Sequence, residues 1–349
     1  MLLDGIVTDL TGWGILATGH IASVFARDLA LLPNEARLVG VGSRTVERAM
    51  GFAADHGIPR AYDSYAELAG DPDVEVVYVA SSHPDHFLSA KLCLEAGKSI
   101  LVEKPLTTSP DDTAQLINLA EQRGLFLMEA LWTRTNPLLR KAAALAASGD
   151  LGEIRHVSAN FGFAFRGPLT HRLFDPAQGG GAILDAGVYP VHAVNLFLGE
   201  PAGLHGYGSH AATGVDSHAA AVLNYPPTED RPAATATVIC SLEADLPTSL
   251  EVYGSSGRIV FNDFFILPKE MLVYRGHRRD VEPEVLVTQW PGAGYTFQAQ
   301  EVMRCLRAGE LESPMVPWRD SLAVARTLAL WQAAVGDPTP EEEPAEEES

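Results

Sequence analysis

One rhythm in the first 150 residues constrains the fold of this chain more than any other feature of its sequence. Short apolar runs rich in β-branched residues alternate with longer amphipathic stretches, which is typical of β-α-β units around a parallel sheet. The predicted strands are residues 13–17, 38–42, 74–80, 100–102 and 125–131. The predicted helices are residues 20–31, 45–56, 84–96 and 110–123. This order predicts a doubly wound nucleotide-binding domain over residues 1–134.

After about residue 154 the pattern changes to strand-like runs that follow one another with few helices between them. These runs are residues 155–163, 219–225, 234–241, 250–260 and 271–274, and helices are predicted at 181–198, 295–308 and 318–335. Successive strands indicate a mostly antiparallel sheet. We therefore expect an α/β fold with an N-terminal Rossmann domain built on a parallel sheet. A C-terminal α+β domain with a large, mostly antiparallel open sheet is expected over residues 135–336.

Charge and cysteine content exclude several classes of function. The formal net charge of −20 argues against nucleic acid or an anionic membrane as a partner, and no run approaches the roughly 18 consecutive apolar residues of a membrane span. Three cysteines without C-x-x-C spacing are expected to be reduced core residues: Cys93, Cys240 and Cys305. The last nine residues hold six glutamates, so residues 337–349 are predicted to be a disordered acidic tail. We expect a soluble, cytoplasmic protein.

A candidate phosphate-binding loop follows the first predicted strand. The usual dinucleotide spacing is G-x-G-x-x-G/A, and this chain has Ala17, Gly19 and Ala22 at the three positions. A helix that begins here offers free N–H groups and a positive dipole end to a pyrophosphate. An ordinary strand-to-helix turn explains the segment equally well. Because Ala17 stands where glycine is usual, its methyl group is expected to crowd the turn and weaken cofactor affinity.

The end of the second predicted strand bears on the choice of cofactor. An NAD-preferring fold commonly has an acidic residue there, which accepts a hydrogen bond from the ribose 2′-hydroxyl, whereas this chain has Ser43 and Arg44. A hydroxyl and a guanidinium suit a 2′-phosphate, to which arginine donates charge-assisted bonds. The sequence therefore favours NADP(H) and leaves NAD(H) open. The alternative is a solvent-facing arginine at the start of a helix.

Two further segments carry candidate catalytic groups. Glu103-Lys104-Pro105 ends the fourth predicted strand, at the sheet edge where ligands of such folds bind. The glycine-rich run 179–181 leads into a helix on which Asp185 and Tyr189, four residues apart, share a face. With Lys104 lowering the pKa of the tyrosine, these groups form a plausible proton-transfer site beside a nicotinamide. Taken singly, Glu103 and Lys104 fit a surface ion pair, and Tyr189 fits a half-buried residue at a domain interface.

These motifs resemble those of the glucose-fructose oxidoreductase, inositol dehydrogenase and MocA family. Its E-K-P motif matches residues 103–105, and its G-G-G-x-x-x-D-x-G-x-(H/Y) motif matches residues 179–189. Residues 13–16 and 128–134, and Gly294-Tyr295 followed by Glu301, are similar to one branch of the family. That branch contains dimeric dihydrodiol dehydrogenase and NADP-dependent D-xylose dehydrogenase. The resemblance runs from about Trp13 to Trp331.

The resemblance implies roles for individual residues. Lys104 and Tyr189 act at the reacting carbon, with Tyr189 as proton donor or acceptor and Asp185 orienting the substrate or the lysine. The residues implied in cofactor binding are Ala17, Thr18, Gly19, His20, Ile21, Ser43, Arg44, Ser81, His83, His86, Glu103 and Lys104. Weaker candidates for the substrate pocket, which core packing explains as well, are Trp132, Arg134 and Phe161.

The implied function is that of an NADP-dependent oxidoreductase. It moves a hydride between the nicotinamide and a carbinol carbon of a sugar-like or trans-diol substrate. The family also implies a homodimer or higher homo-oligomer that assembles through the C-terminal sheet, which fits the need to cover its open face.

Two other functions compete with this one. Several histidines suggest a metal enzyme, but none has zinc-site spacing, so no metal is expected: His83, His86, His192, His210 and His218. A non-catalytic sensor or regulator that binds a dinucleotide keeps the fold without the chemistry. The joint presence of Lys104, Asp185 and Tyr189 favours an enzyme.

Overall fold

The structure, a computed structural model, describes residues 10–229, 231–276 and 281–336. Its first sheet contains β1 (Thr11–Leu16), β2 (Ala36–Gly42), β3 (Arg60–Tyr62), β4 (Val76–Val79), β5 (Ser99–Val102) and β6 (Leu127–Glu129). The helices between them are α1 (His20–Leu29), α2 (Val46–His56), α3 (Tyr65–Gly70), α4 (His86–Glu95) and α5 (Pro110–Arg123). The strands are parallel, in the order β3-β2-β1-β4-β5-β6. The predicted doubly wound domain is therefore confirmed.

Burial on both faces explains why these segments form a parallel sheet. Strands β1, β4 and β5 are buried at every position, as expected where helices cover both faces. On one face Phe25 of α1 stacks on Tyr78 of β4 with ring centroids 3.9 Å apart, and on the other Leu94 of α4 joins the core. The sequence analysis did not predict β3 and α3, which have only three and six residues. Such short elements show no clear periodicity.

The second sheet has eight strands and is mostly antiparallel, as predicted. It contains β7 (Ile154–Gly162), β8 (Gly203–His210), β9 (Asp216–Tyr225), β10 (Ala234–Ser241), β11 (Leu250–Gly254), β12 (Gly257–Phe261), β13 (Glu270–Arg275) and β14 (Glu284–Val287). The order is β14-β13-β12-β11-β7-β10-β9-β8, and β7 and β10 form its one parallel pair within the described residues.

Two expectations about this sheet were wrong in detail. The single strand predicted at 250–260 is a hairpin of β11 and β12, joined at Ser255 and Ser256. Strands β8 and β14 were not predicted. Gly203, Gly206 and Gly208 interrupt the apolar alternation of β8, which removes the signal by which a strand is recognised.

The remaining helices are α6 (Trp132–Thr135), α7 (Pro137–Ala147), α8 (Val188–Leu198), α9 (Thr296–Ala308) and α10 (Trp318–Val335). Helices α8 and α10 cover one face of the second sheet, where Trp331 is fully buried. Helix α9 instead packs into the first domain, since Val302 and Met303 share a core with Phe25. The chain after about residue 295 thus returns to the nucleotide-binding domain, although its sequence follows the second sheet.

One stretch, Pro176–Leu198, contains an 18-residue window that is apolar enough to cross a membrane by length and composition. Because 83 % of that window is buried inside the protein, packing against the second sheet accounts for its apolar composition. The acidic tail predicted for residues 337–349 lies outside the described residues.

Candidate active site

A cleft of about 850 Å³ opens at the carboxyl ends of β1, β2, β4 and β5. The strand order of the first sheet reverses between β1 and β4, and open α/β sheets bind ligands beside such a reversal. Most residues selected from the sequence line this cleft: Ala17, Thr18, Gly19, His20, Ile21, Ser43, Arg44, Ser81, His83, His86, Glu103, Lys104, Phe161, Asp185 and Tyr189.

The loop between β1 and α1 forms the floor of the cleft at one end. Gly19 is the N-cap of α1, and a Cβ atom added to it would meet nothing within 4 Å. Helix α1 has neither a side-chain cap nor an acidic residue in its first turn. The N–H groups near His20 and Ile21 are therefore available to an anion.

Ala17 adopts a backbone conformation that glycine favours. Its φ is +80°, and its N–H donates to the carbonyl of Gly42 at 2.9 Å. Strand β1 therefore ends at Leu16, one residue earlier than predicted. An L-residue in this region carries roughly 1–2 kcal/mol of strain. Ala17 thus holds a conformation that glycine adopts without strain, and its effect on cofactor affinity stays a prediction.

Two arginines follow β2, Arg44 in the loop after the strand and Arg48 in the first turn of α2. Ser43 is buried and its N–H donates to the carbonyl of Tyr62 at 3.2 Å, while Arg44 and Arg48 line the cleft. Burial raises the pKa of Tyr65, and the two nearby guanidiniums oppose that rise. Arg48 was not predicted as a site residue, although a second arginine in the first turn of the helix predicted at 45–56, directly after Arg44, was a signal that could have found it.

A π-helical turn brings the candidate catalytic groups together. The helix predicted over 181–198 contains this turn at Ile183–Gly187, before α8. In a π-helix each carbonyl accepts a hydrogen bond from the N–H five residues later. Pro190 has no N–H, so it cannot donate this bond to the carbonyl of Asp185. Lys104 Nζ donates to that carbonyl at 2.8 Å. The same Nζ lies 3.8 Å from Asp185 Oδ1 and 4.9 Å from the ring centroid of Tyr189.

The Asp185 carboxylate lies among three cationic or ionisable side chains. Arg172 Nη1 donates to its Oδ1 at 3.1 Å, and His83 Nε2 lies 3.9 Å from the same oxygen. Burial favours the neutral acid, but the charges of Lys104 and Arg172 outweigh it and lower the pKa of Asp185. Burial likewise opposes the charge of Lys104, while Asp185 and Tyr189 raise its pKa. Lysine and aspartate are therefore an ion pair at neutral pH.

Tyr189 is less acidic than an exposed tyrosine. Burial raises its pKa above the usual 10, and the nearby Lys104 charge opposes that rise without cancelling it. The expectation that Lys104 lowers the pKa of the phenol is correct as a contribution and wrong for the net direction. The physical reason is that burial penalises the phenolate more than one lysine stabilises it.

Glu103 is buried next to Lys104 and contacts its backbone. The hydroxyl of Tyr78 donates to its carboxylate, and the N–H of Lys104 donates to Glu103 Oε2 at 3.3 Å. Burial raises the pKa of Glu103, although Tyr78 and Lys104 oppose this. The acid of the E-K-P motif therefore lies buried beside the lysine.

Aromatic rings surround the Tyr189 hydroxyl. Trp132 Nε1 donates to it at 3.3 Å, and Phe161 meets the Tyr189 ring edge-on with centroids 5.7 Å apart. Tyr295, which also lines the cleft, stacks on Trp132 at 4.5 Å. Trp132 thus lies behind the cleft surface, in contact with two residues that form it.

Arg134 does not lie in the pocket wall to which the sequence assigned it. Its side chain is buried, and Nη2 donates to Asp320 Oδ2 at 2.6 Å while Nη1 donates to Asn195 Oδ1 at 3.4 Å. A buried guanidinium needs such a partner. Arg134 therefore ties α6 to α8 and α10.

Comparisons with known proteins show which family this chain belongs to. The family model for the oxidoreductase family with an NAD-binding Rossmann fold matches residues 11–131, and the model for the GFO/IDH/MocA C-terminal domain matches residues 139–260. The trans-1,2-dihydrobenzene-1,2-diol dehydrogenase of Bos taurus is 36% identical over 336 residues, which cover 95% of this chain and 98% of that protein.

The chain belongs to the Gfo/Idh/MocA family of oxidoreductases. Its fold is shared with a 3-ketoreductase from Actinomadura kijaniata solved with NADP and TDP-benzene, which is 28% identical with a TM-score of 0.79 and coverage of 93% and 98% of the two chains. A levoglucosan dehydrogenase solved with NADH and levoglucosan has a TM-score of 0.81 at 19% identity, with coverage of 94% and 97%. These neighbours hold different nicotinamide cofactors.

Two histidines of this Gfo/Idh/MocA member, His83 and His86, contact main-chain carbonyls near the cleft. His83 Nδ1 lies 3.1 Å from the carbonyl of Gly179, and the ring nitrogens of His86 lie 2.8 and 3.1 Å from the carbonyls of Pro105 and Ser81. Burial lowers the pKa of His83 to about 3, so its ring is neutral. Within the described ranges, no three His, Cys, Asp or Glu side chains are placed to hold a metal ion.

Proposed function

We propose that this chain is an NADP-dependent dehydrogenase that moves a hydride between the nicotinamide and a carbinol carbon of a cyclic trans-diol or a sugar. One observation carries the proposal. Lys104, Asp185 and Tyr189 converge in the same cleft as the loop that precedes α1. A lysine, an acid and a phenol in contact are the groups that proton exchange at a carbinol oxygen requires.

The residues along the cleft fit a dinucleotide. The open space at Gly19 and the uncapped end of α1 suit a pyrophosphate, and Arg44 and Arg48 suit a 2′-phosphate. When bound, the dinucleotide supplies the hydride acceptor or donor, and the protein supplies binding, orientation and proton exchange.

The protein's own groups divide the proton chemistry between them. The Tyr189 hydroxyl gives a proton to the substrate oxygen in reduction and takes one in oxidation. Lys104, 4.9 Å from the ring centroid, stabilises the phenolate against burial. Asp185 keeps Lys104 charged and fixes its position.

The choice of NADP over NAD rests on the end of β2. Two guanidiniums line the cleft there, and the position where an NAD-preferring fold commonly has an acid is occupied by Ser43 and Arg44. Arginine binds phosphate through charge-assisted, often bidentate hydrogen bonds.

The substrate end of the cleft favours a ring. Phe161, Phe163, Tyr189 and Tyr295 line it, and aromatic rings pack well against the apolar face of a cyclic molecule. The relatives' names also support a cyclic substrate, since one refers to a dihydrobenzene diol and another to levoglucosan.

We also propose that two copies assemble through the open face of the second sheet. Tyr207 of β8, Val222 of β9 and Val287 of β14 lie on the face opposite α8 and are 85 %, 51 % and 71 % exposed. A broad sheet face that carries large apolar side chains is expected to be covered by a partner.

The cofactor part of the proposal is tested by titrating the protein with NADPH and NADH while nicotinamide fluorescence is followed. Arg44→Asp and Arg48→Glu are each expected to weaken NADPH binding by roughly 10-fold or more, because each removes a charged hydrogen bond worth about 1.5–3 kcal/mol. NADH affinity should change little. The matched control is Arg37→Asp, a charge reversal at an exposed position near the start of β2, away from the cleft. Equal NADPH affinity in all three variants would contradict the assignment.

The catalytic part is tested by turnover of cyclic diols and sugars with NADP. Lys104→Ala and Tyr189→Phe should each lower turnover by at least about 100-fold, the usual contribution of a positioned acid-base group. NADPH affinity should stay near that of the unsubstituted protein. Tight NADPH binding without turnover of any diol or sugar would favour the non-catalytic sensor.

A further inference from the structure

A buried carboxylate of α1 holds a loop that is remote in sequence. Asp28 is only 3 % exposed. Its Oδ1 and Oδ2 accept the N–H of Ala293 at 2.8 and 3.0 Å, and Oδ2 also accepts the N–H of Tyr295 at 2.7 Å. Among the described residues no cation forms an ion pair with Asp28. The backbone N–H groups therefore compensate for burying the charge.

The loop is shaped to fit around this carboxylate. Gly292 has a φ of +70°, and a Cβ atom there would lie 2.3 Å from Asp28 Oδ1. Gly294 has a φ of +95°, and a Cβ atom there would lie 2.6 Å from Leu267. Both positions require glycine on two counts, conformation and space. The sequence Gly-Ala-Gly-Tyr thus places the Tyr295 N–H against Asp28.

From Tyr295 the contacts lead to the candidate proton donor. Its ring stacks on Trp132 with an interplanar angle of 16°, and Trp132 Nε1 donates to the Tyr189 hydroxyl. The indole N–H can donate and cannot accept, so it favours the phenolate. Helix α1, which carries Asp28 near its end, begins at the phosphate-binding loop.

We propose that Asp28 is a positioning residue for catalysis, which fixes the Tyr295 ring and through it aims the Trp132 N–H at the Tyr189 oxygen. This inference rests on the proposed function, in which Tyr189 exchanges the proton. Asp28 itself touches neither substrate nor cofactor. Asp28 affects the barrier to proton exchange only indirectly, by keeping the Trp132 N–H directed at the Tyr189 oxygen.

The Tyr189 hydroxyl has several charged or ionisable neighbours that set its titration. They are Lys104, Glu103, Asp185, Tyr78 and Tyr295. Lys104 acts on the ring by its charge, whereas Trp132 acts by a hydrogen bond that depends on direction. Loss of the Trp132 N–H therefore moves the titration of Tyr189 upward without removing the lysine.

The test is a double-mutant cycle on alcohol oxidation, measured over a range of pH. At pH values below the pKa of Tyr189, Trp132→Phe is expected to lower turnover by about 10-fold. The pH profile should also move to higher pH, because the phenolate of Tyr189 loses one hydrogen bond. Asp28→Ala should move it in the same direction. The double variant should lose no more than Trp132→Phe alone, because both changes remove one interaction.

Two further variants separate positioning from stability. Gly292→Ala disturbs the contact between Asp28 and the loop from the loop side and should shift the pH profile as Asp28→Ala does. It replaces Asp28→Ala in the test if that variant folds poorly. Val302→Ala, in the core that contains α9, should lower the melting temperature and leave the pH profile unchanged. Additive effects of Asp28→Ala and Trp132→Phe, or a shifted profile in Val302→Ala, would overturn the inference.

Hydrogen exchange on the protein without substrate gives an independent result. The amides of Ala293 and Tyr295 should be protected and should exchange faster in Asp28→Ala. Faster exchange with an unchanged pH profile rejects the positioning role and leaves the proposed function intact. Full turnover in Tyr189→Phe rejects the proposed function, while the exchange result still reports on the contact.

Discussion

Replacing Ala17 with glycine should stabilise this protein. The φ of +80° at Ala17 costs an L-residue roughly 1–2 kcal/mol, and glycine adopts this conformation freely. Glycine also gains freedom in the unfolded chain, which offsets about 0.4–1 kcal/mol of that relief. At the middle of these two ranges the net gain in the free energy of unfolding is about 0.8 kcal/mol, or roughly 2–3 °C in melting temperature for a domain of about 150–250 residues.

The assay is thermal unfolding of Ala17→Gly beside Ala54→Gly. Ala54 is exposed in helix α2, so the same chemical change there should destabilise by about 1 kcal/mol. Opposite signs in the two variants are expected, because only Ala17 has a positive φ. Destabilisation of Ala17→Gly by as much as Ala54→Gly would refute the strain argument.

Three other results are expected. Alcohol oxidation should become faster as the pH rises from about 7 toward 10, since burial holds the pKa of Tyr189 above its usual value and the phenol must first lose its proton; a flat profile would contradict this. Burial raises the pKa of Asp216 from 3.8 to about 6, so its ionisation lowers the stability of the folded protein as the pH rises from about 4 to above 6. Urea unfolding of Asp216→Asn should therefore give a free energy of unfolding up to about 3 kcal/mol higher than that of the unsubstituted protein near pH 8, and no higher near pH 3. Tyr207→Glu, on the exposed sheet face, should reduce the mass measured by light scattering to that of a monomer, and an unchanged mass would place the interface elsewhere.

The nucleotide-binding domain could be predicted well from the sequence because each of its strands and helices is marked by residues within or directly beside it. Each buried strand is a short apolar run, and each helix end carries its own signal, such as Ser109 before Pro110 at the start of α5 and Gly124 in the left-handed conformation after it. The edge of the sheet follows from strand order, so the positions of Lys104 and Arg44 in one cleft could be predicted as well.

Contacts between distant segments could not be predicted in this way. Arg172 reaches Asp185 from a three-residue 3₁₀ helix, Arg172–Phe174, and Asp28 meets the loop at Tyr295 across 267 residues. The family resemblance made Arg134 a weaker candidate for the pocket wall, yet its partner Asp320 lies 186 residues away. Periodicity carries no information about such partners, and the net pKa of Tyr189 depends on burial that only the packed structure defines.

The most direct test of the central claim is oxidation of a cyclic trans-diol by NADP, with deuterium at the carbinol carbon, by the unsubstituted protein and by Tyr189→Phe. We expect the unsubstituted protein to transfer deuterium to the nicotinamide, and Tyr189→Phe to lose at least about 100-fold in turnover while its NADPH affinity is retained. Turnover of Tyr189→Phe near that of the unsubstituted protein would show that the phenol does not exchange the proton.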